Sequence, residues 1–206
     1  ALAMGNDLNT KGEACRALAN LAANRDVQQQ IMTQGGLRPM VNGVRNNNIA
    51  CQRFGALGIG NLATNVANQV RIVQEGAIQP LVQLSGDMSA DTEARRYSVL
   101  ALANLAATIG NHPAILEEKA LFSLFTLSNS PDILSQYYVA YALANLAANE
   151  RNHLHIVQEG GLQPCISLAY SPDPDVHHQG TELDRTGRFY LPGTCRCHRR
   201  LNTQRH

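Results

Sequence analysis

Tryptophan is absent from these 206 residues, and aromatics make up only 5% of them. A β-sandwich wants many aromatic and β-branched residues on its inner faces, so the composition argues against that class. The five cysteines, Cys15, Cys51, Cys165, Cys195 and Cys197, are odd in number and irregularly spaced. That is no disulfide framework, and reduced thiols in a cytoplasmic protein are expected. No apolar run is long enough to span a bilayer and no signal-peptide pattern opens the chain, so direct membrane insertion is not expected. The first residue is Ala1 rather than Met, so an anchor to an organelle surface at a missing terminus would not be visible.

Strong charge of one sign is missing too. Residues 1–179 hold 11 Lys and Arg against 14 Asp and Glu, a net of −3. Such a surface is a poor binder of phosphate backbones, which argues against nucleic-acid partners. There is no phosphate loop, no nucleophile motif and no acid–base pair; Glu117 and Glu118 are adjacent and point different ways on a helix. The reading is of a non-enzymatic chain with no catalytic residue, no metal and no cofactor.

What is present is repetition. Asn-Leu-Ala starts at Asn20, Asn61, Asn104 and Asn145, with spacings of 41, 43 and 41 residues. A Gly-x-φ-x-Pro run, φ being Leu or Ile, keeps the same phase at Gly35, Gly76 and Gly160. Its missing instance falls at Lys119, without the Gly and the Pro. A third marker, an Asn early in each unit, recurs at Asn68, Asn111 and Asn152. A period near 40 suits stacked helical units. In one unit, a short helix from Asn68 to Glu75 would turn at Gly76, a second would run from Ala77 to about Ser85, and a longer third from Asp91 to Ala107.

The run Val73 to Leu84, with Ala-Leu-Ala-Asn-Leu-Ala at 101–106, resembles the armadillo-repeat family, most of all its multi-repeat adaptors of the fungal vacuolar type. The resemblance covers residues 1–179 and implies an all-α, right-handed α-solenoid with three helices per repeat. It divides into a partial repeat at 1–23, repeats at 24–64, 65–107 and 108–148, and a broken repeat at 149–179. Residues 180–206, with 6 Arg against 2 acids, lose the helical period and read as a basic tail, disordered or aberrant through an altered frame or an unspliced segment. There Cys195, Cys197 and His198 lack the paired Cys-x-x-Cys spacing of a zinc site.

On a wheel of about 100° per residue, each third helix has two faces. Around Asn104, the residues Ser98, Val99, Leu102, Leu105 and Ala106 gather on one side as candidate core. The opposite side carries the Asn, the residue four before it and the residue seven before it. These are Asn20, Arg16 and Glu13; Asn61, Leu57 and Phe54; Asn104, Leu100 and Tyr97; and Asn145, Tyr141 and Tyr138. Beside them sit Arg53 and Arg96. An amide both donates and accepts, so an Asn per repeat can pair with an extended peptide, while Leu and aromatic residues supply pockets. The family resemblance implies the same contact for the four Asn residues; the alternative is that each bridges neighbouring helices. The candidate partner-binding residues are therefore Asn20, Asn61, Asn104, Asn145, Phe54, Leu57, Tyr97, Leu100, Tyr138 and Tyr141, with Arg53 and Arg96 favouring acidic residues in the partner. Nuclear-import receptors of this fold usually place Trp four residues before the Asn; here that position holds Arg16, Leu57, Leu100 and Tyr141, so a classical nuclear-localisation signal is not the expected ligand.

These observations point to a scaffold or adaptor whose partners are proteins or peptides. A structural component of a ciliary or cytoskeletal assembly and the substrate-recruiting region of a larger ubiquitin ligase are the competing readings. His112, His153, His155 and His177–His178 are expected at the surface.

Overall fold

The computed structural model describes residues 8–181, and among these it contains only helices. The first element, α1 (Leu8–Ala22), is followed by three complete three-helix units. These are α2 (Arg25–Thr33), α3 (Leu37–Val44) and α4 (Ile49–Ala63); α5 (Val66–Gln74), α6 (Ile78–Gly86) and α7 (Thr92–Leu105); and α8 (His112–Glu117), α9 (Ala120–Leu127) and α10 (Ile133–Ala147). A further set comprises α11 (His153–Gln158), α12 (Leu162–Ala169) and the short α13 (Pro174–Thr181). The tail expected over 180–206, with its Cys195, Cys197 and His198, lies outside the described residues except for the end of α13.

Local chemistry sets the helix boundaries. Asn24, Asn65 and Asn149 accept from the backbone N–H two residues on, opening the first helix of their units or the 3-10 turn that leads into it. Asn48, Asp91 and Asp132 do the same for the third helices, accepting from Cys51, Ala94 and Ser135. The corner between first and second helices needs a left-handed residue. Gly35, Gly76 and Gly160 take it at φ of 77°, 72° and 88°. In the unit without the glycine, Lys119 occupies the same corner at φ 58°.

Packing follows the chain order. α1 lies on α4, α4 on α7 and α7 on α10, so the third helices form one continuous layer. Each complete unit's second helix packs on its own third helix, and α6 packs on α9. Small residues permit the close crossings: a Cβ added at Gly55 would lie 2.6 Å from the Met40 carbonyl oxygen. The expected core face of α7 is buried, with Ser98, Val99 and Leu105 all at 0% exposure. Burying such apolar stripes at about 25 cal/mol per Å² is what holds a solenoid together.

The last unit is covered less fully. Ile78 and Leu121 are buried in their units, whereas Leu162 at the same repeat position is exposed.

Candidate partner-binding face on the third-helix layer

The expected binding residues divide sharply along the layer. On α1, Glu13, Arg16 and Asn20 are exposed. On α4, Arg53, Phe54, Leu57 and Asn61 are half-buried. On α7 and α10, Tyr97, Leu100, Asn104, Tyr138, Tyr141 and Asn145 are all buried, Asn145 at 1% exposure. The ladder of one exposed Asn per repeat expected from the sequence is not uniform: the α1 rung is exposed, the α4 rung half-buried, and the α7 and α10 rungs buried.

The reason lies in what the amides do. Asn61 Nδ2 donates to the Ala19 carbonyl at 2.9 Å, Asn104 Nδ2 to Gly60 at 3.0 Å, and Asn145 Nδ2 to Ala103 at 2.9 Å. Each therefore reaches the residue just before the previous unit's Asn. The row of Asn side chains staples one third helix to the next, which is the bridging alternative drawn from the sequence. Buried carbonyls of a close helix–helix contact need such donors. Leu100 closes the seam from the other side, its Cγ 3.4 Å from where a Cβ on Gly60 would stand. Tyr138 packs edge-on against Tyr137 with ring centroids 5.5 Å apart.

Arg53 and Arg96 also differ from expectation. Arg53 Nε donates to Asp91 Oδ1 at 2.6 Å, and its Nη1 lies 2.9 Å from Glu93 Oε2. Arg96 holds Asp132 through Nε at 2.8 Å and Nη2 at 2.7 Å. Both guanidiniums thus bind the acid that opens the following third helix, Arg96 with only 15% of its side chain exposed and Arg53 with 36%. Hydrogen bonding from Arg53 holds the Asp91 carboxyl below the usual carboxylate range, against the effect of burial. At Asp132 burial alone would push the pKa up, but hydrogen bonds from Arg96 and Ser135 outweigh it and the carboxyl is lowered. Burial raises the Tyr141 hydroxyl.

A second joint was present in the sequence but not read from it. Gln28, Gln69, His112 and His153 recur at spacings of 41, 43 and 41 residues, the rhythm of the Asn-Leu-Ala marker. Gln28 Nε2 donates to the carbonyls of Ala22 and Asn61, both at 2.8 Å, and Gln69 Nε2 to those of Ala63 and Asn104 at 2.8 and 2.9 Å. His112 Nε2 lies 2.7 Å from the Ala106 oxygen and His153 Nε2 2.8 Å from that of Ala147. His112, expected at the surface, is 1% exposed because its ring fills this joint; His153 is exposed. The marker Asn68, Asn111 and Asn152 works beside it, donating to the carbonyls of Leu62, Leu105 and Leu146. Polar side chains thus terminate each third helix through its last free carbonyls.

Among the described residues no group of three or more His, Cys, Asp or Glu is placed to hold a metal ion, and no single helix is long and apolar enough to cross a membrane. Cys15, Cys51 and Cys165 form no disulfide, and burial pushes Cys15 up to about 11.

Such a layer of stapled three-helix units defines a helical-repeat solenoid. Residues 65–107 match the armadillo/beta-catenin-like repeat. A crystal structure of an engineered protein superposes with a TM-score of 0.82 at 26% identity, covering 88% of this chain and 76% of that one. A designed armadillo repeat protein gives 0.82 at 25% identity, over 88% of this chain and 77% of that one. Computationally designed armadillo repeat proteins for modular peptide recognition give the same three values, 0.82, 25% and 88%, with 77% of their chain covered. No curated protein matches the chain. The chain thus has the fold of an armadillo-repeat solenoid, with the repeat itself matched at 65–107.

Proposed function

We propose that the chain is a non-catalytic scaffold that holds an extended segment of a partner protein against the open end of its third-helix layer. The observation that carries this reading is the row on α4. Phe54, Leu57 and Asn61 stand half-exposed on one face, seven and four residues before the Asn and at it, beside the exposed Asn20 and Arg16 of α1. Leu57 and Phe54 offer apolar contact. Asn61 has its Nδ2 fixed on Ala19, so its Oδ1 is the atom that would accept from a backbone N–H of the bound segment. Armadillo repeat proteins of similar fold designed for modular peptide recognition support a peptide-binding role in general. Tyr97, Leu100, Asn104, Tyr138, Tyr141 and Asn145 then act beneath the surface, keeping the repeats in register. Reduced, buried thiols suit a cytoplasmic setting.

The test is selection of binders from a random peptide library displayed in extended form, followed by measurement on a Phe54→Ser, Leu57→Ser double variant. Loss of binding at least tenfold with unchanged helicity and melting supports the reading. Binding that survives in a folded double variant refutes it.

A further inference from the structure

Gln69 carries an acceptor that has no partner among the described residues. Its side chain is 1% exposed, and Nε2 is committed to the carbonyls of Ala63 and Asn104 at 2.8 and 2.9 Å. Oε1 is buried and has no hydrogen-bond partner. Turning the amide over would set Oε1 against two carbonyl oxygens, so its orientation is fixed by the donors. A buried acceptor left unmatched is strongly unfavourable, and native structures rarely keep one.

The same side chain lines a cavity of about 20 Å³ at the joint between α4 and α7. Arg25, Ala63, Thr64, Asn104, Ala107 and Tyr141 complete the wall. That is room for one water molecule, which needs about 10–15 Å³ and two to four polar partners. An apolar cavity of this size stays dry, but Gln69, Thr64, Asn104 and Arg25 give this one polar walls. Where the repeat position holds histidine, the protein supplies the donor itself: Asn152 Nδ2 lies 2.9 Å from His112 Nδ1.

We propose that the cavity at Gln69 is a binding site for a single water molecule, which donates to Gln69 Oε1 and bridges it to Thr64 or Asn104. One unit earlier, Gln28 repeats the arrangement of its amide, with Nε2 on two carbonyls and Oε1 buried and unmatched. The site completes the hydrogen bonding of the repeat joint and is independent of any peptide on the outer face.

A crystal structure at a resolution that shows ordered solvent tests this directly. A solvent peak within hydrogen-bonding reach of Gln69 Oε1 is expected; an unfilled cavity, or a protein donor on Oε1, overturns the proposal. Filling the cavity with Ala107→Val gives a second reading. Expelling a water strands the acceptor, so the melting temperature should fall, and fall by less in a Gln69→Met background that has no acceptor to strand. A rise in melting temperature on Ala107→Val means a dry cavity, and an equal fall in both backgrounds means crowding alone; either overturns the assignment.

Discussion

Arg96 grips Asp132 through two near-parallel hydrogen bonds of 2.8 and 2.7 Å, joining the third helix of one repeat to the cap of the next. The side chains on both sides are only 15% exposed, so this pair is shielded from screening. Arg96→Met should lower stability by about 1.5–3 kcal/mol, the range for hydrogen bonds to charged groups. The matching change at Arg53 should lower it less, since that side chain is 36% exposed. Urea denaturation of the two variants checks the order.

The same pairs set an acid limit. Asp91 and Asp132 both have lowered pKa values in the folded chain. A carboxyl whose folded pKa is depressed contributes stability above its unfolded pKa of about 3.9, and loses it as pH falls through the folded value. The melting temperature should therefore be insensitive to these groups near neutrality and drop below about pH 4. Arg96→Met should flatten the part of that drop owed to Asp132, read from thermal melts across the acid range.

Lys119 sits at a corner that three glycines occupy elsewhere. Left-handed backbone costs a side-chain-bearing residue about 1–2 kcal/mol, so Lys119→Gly should stabilise the third unit, less the entropy glycine adds to the unfolded chain. A rise in the denaturation midpoint confirms it; a fall means that the lysine side chain holds the corner.

Asn104 and Asn20 occupy the same repeat position but differ in environment. Asn104→Ala removes a buried donor to Gly60 and should cost about 1 kcal/mol, whereas Asn20→Ala on the exposed face should be close to neutral. Equal effects on the melting curve would contradict the staple.

His112→Gln tests the second joint. Glutamine already serves at positions 28 and 69, so it should keep the contact with the Ala106 oxygen and lose only the one with Asn152. His112→Ala loses both, and should be the more destabilising of the two in thermal melts by about 1 kcal/mol.

Much of this was legible in the sequence, for a definite reason. Repeats advertise themselves through residues with strict local demands. Gly76 marks a left-handed corner and Asp91 a helix start, so periodic spacing exposed the units and their core face, while Asn68 showed the period but not the carbonyl it serves. The open or closed state of the third-helix layer was not legible. Wheel position puts Leu57 and Leu100 on the same face, but exposure depends on how closely the next unit approaches. That distance is fixed by pairs far apart in the chain, such as Asn104 with Gly60 and Leu100 with Gly60. Arg53 and Arg96 misled in the same way, because their acids lie 38 and 36 residues further on. Gln28, Gln69 and His112 did carry a periodic signal, hidden by the change from amide to imidazole.

The most direct measurement is a methyl NMR titration of the chain with a peptide selected as described above. The account predicts that the Leu57 methyls shift strongly on binding while those of the buried Leu100 and the exposed Leu162 stay where they are. Shifts confined to Leu162 and Ile166 would place the partner on the last repeat and contradict it.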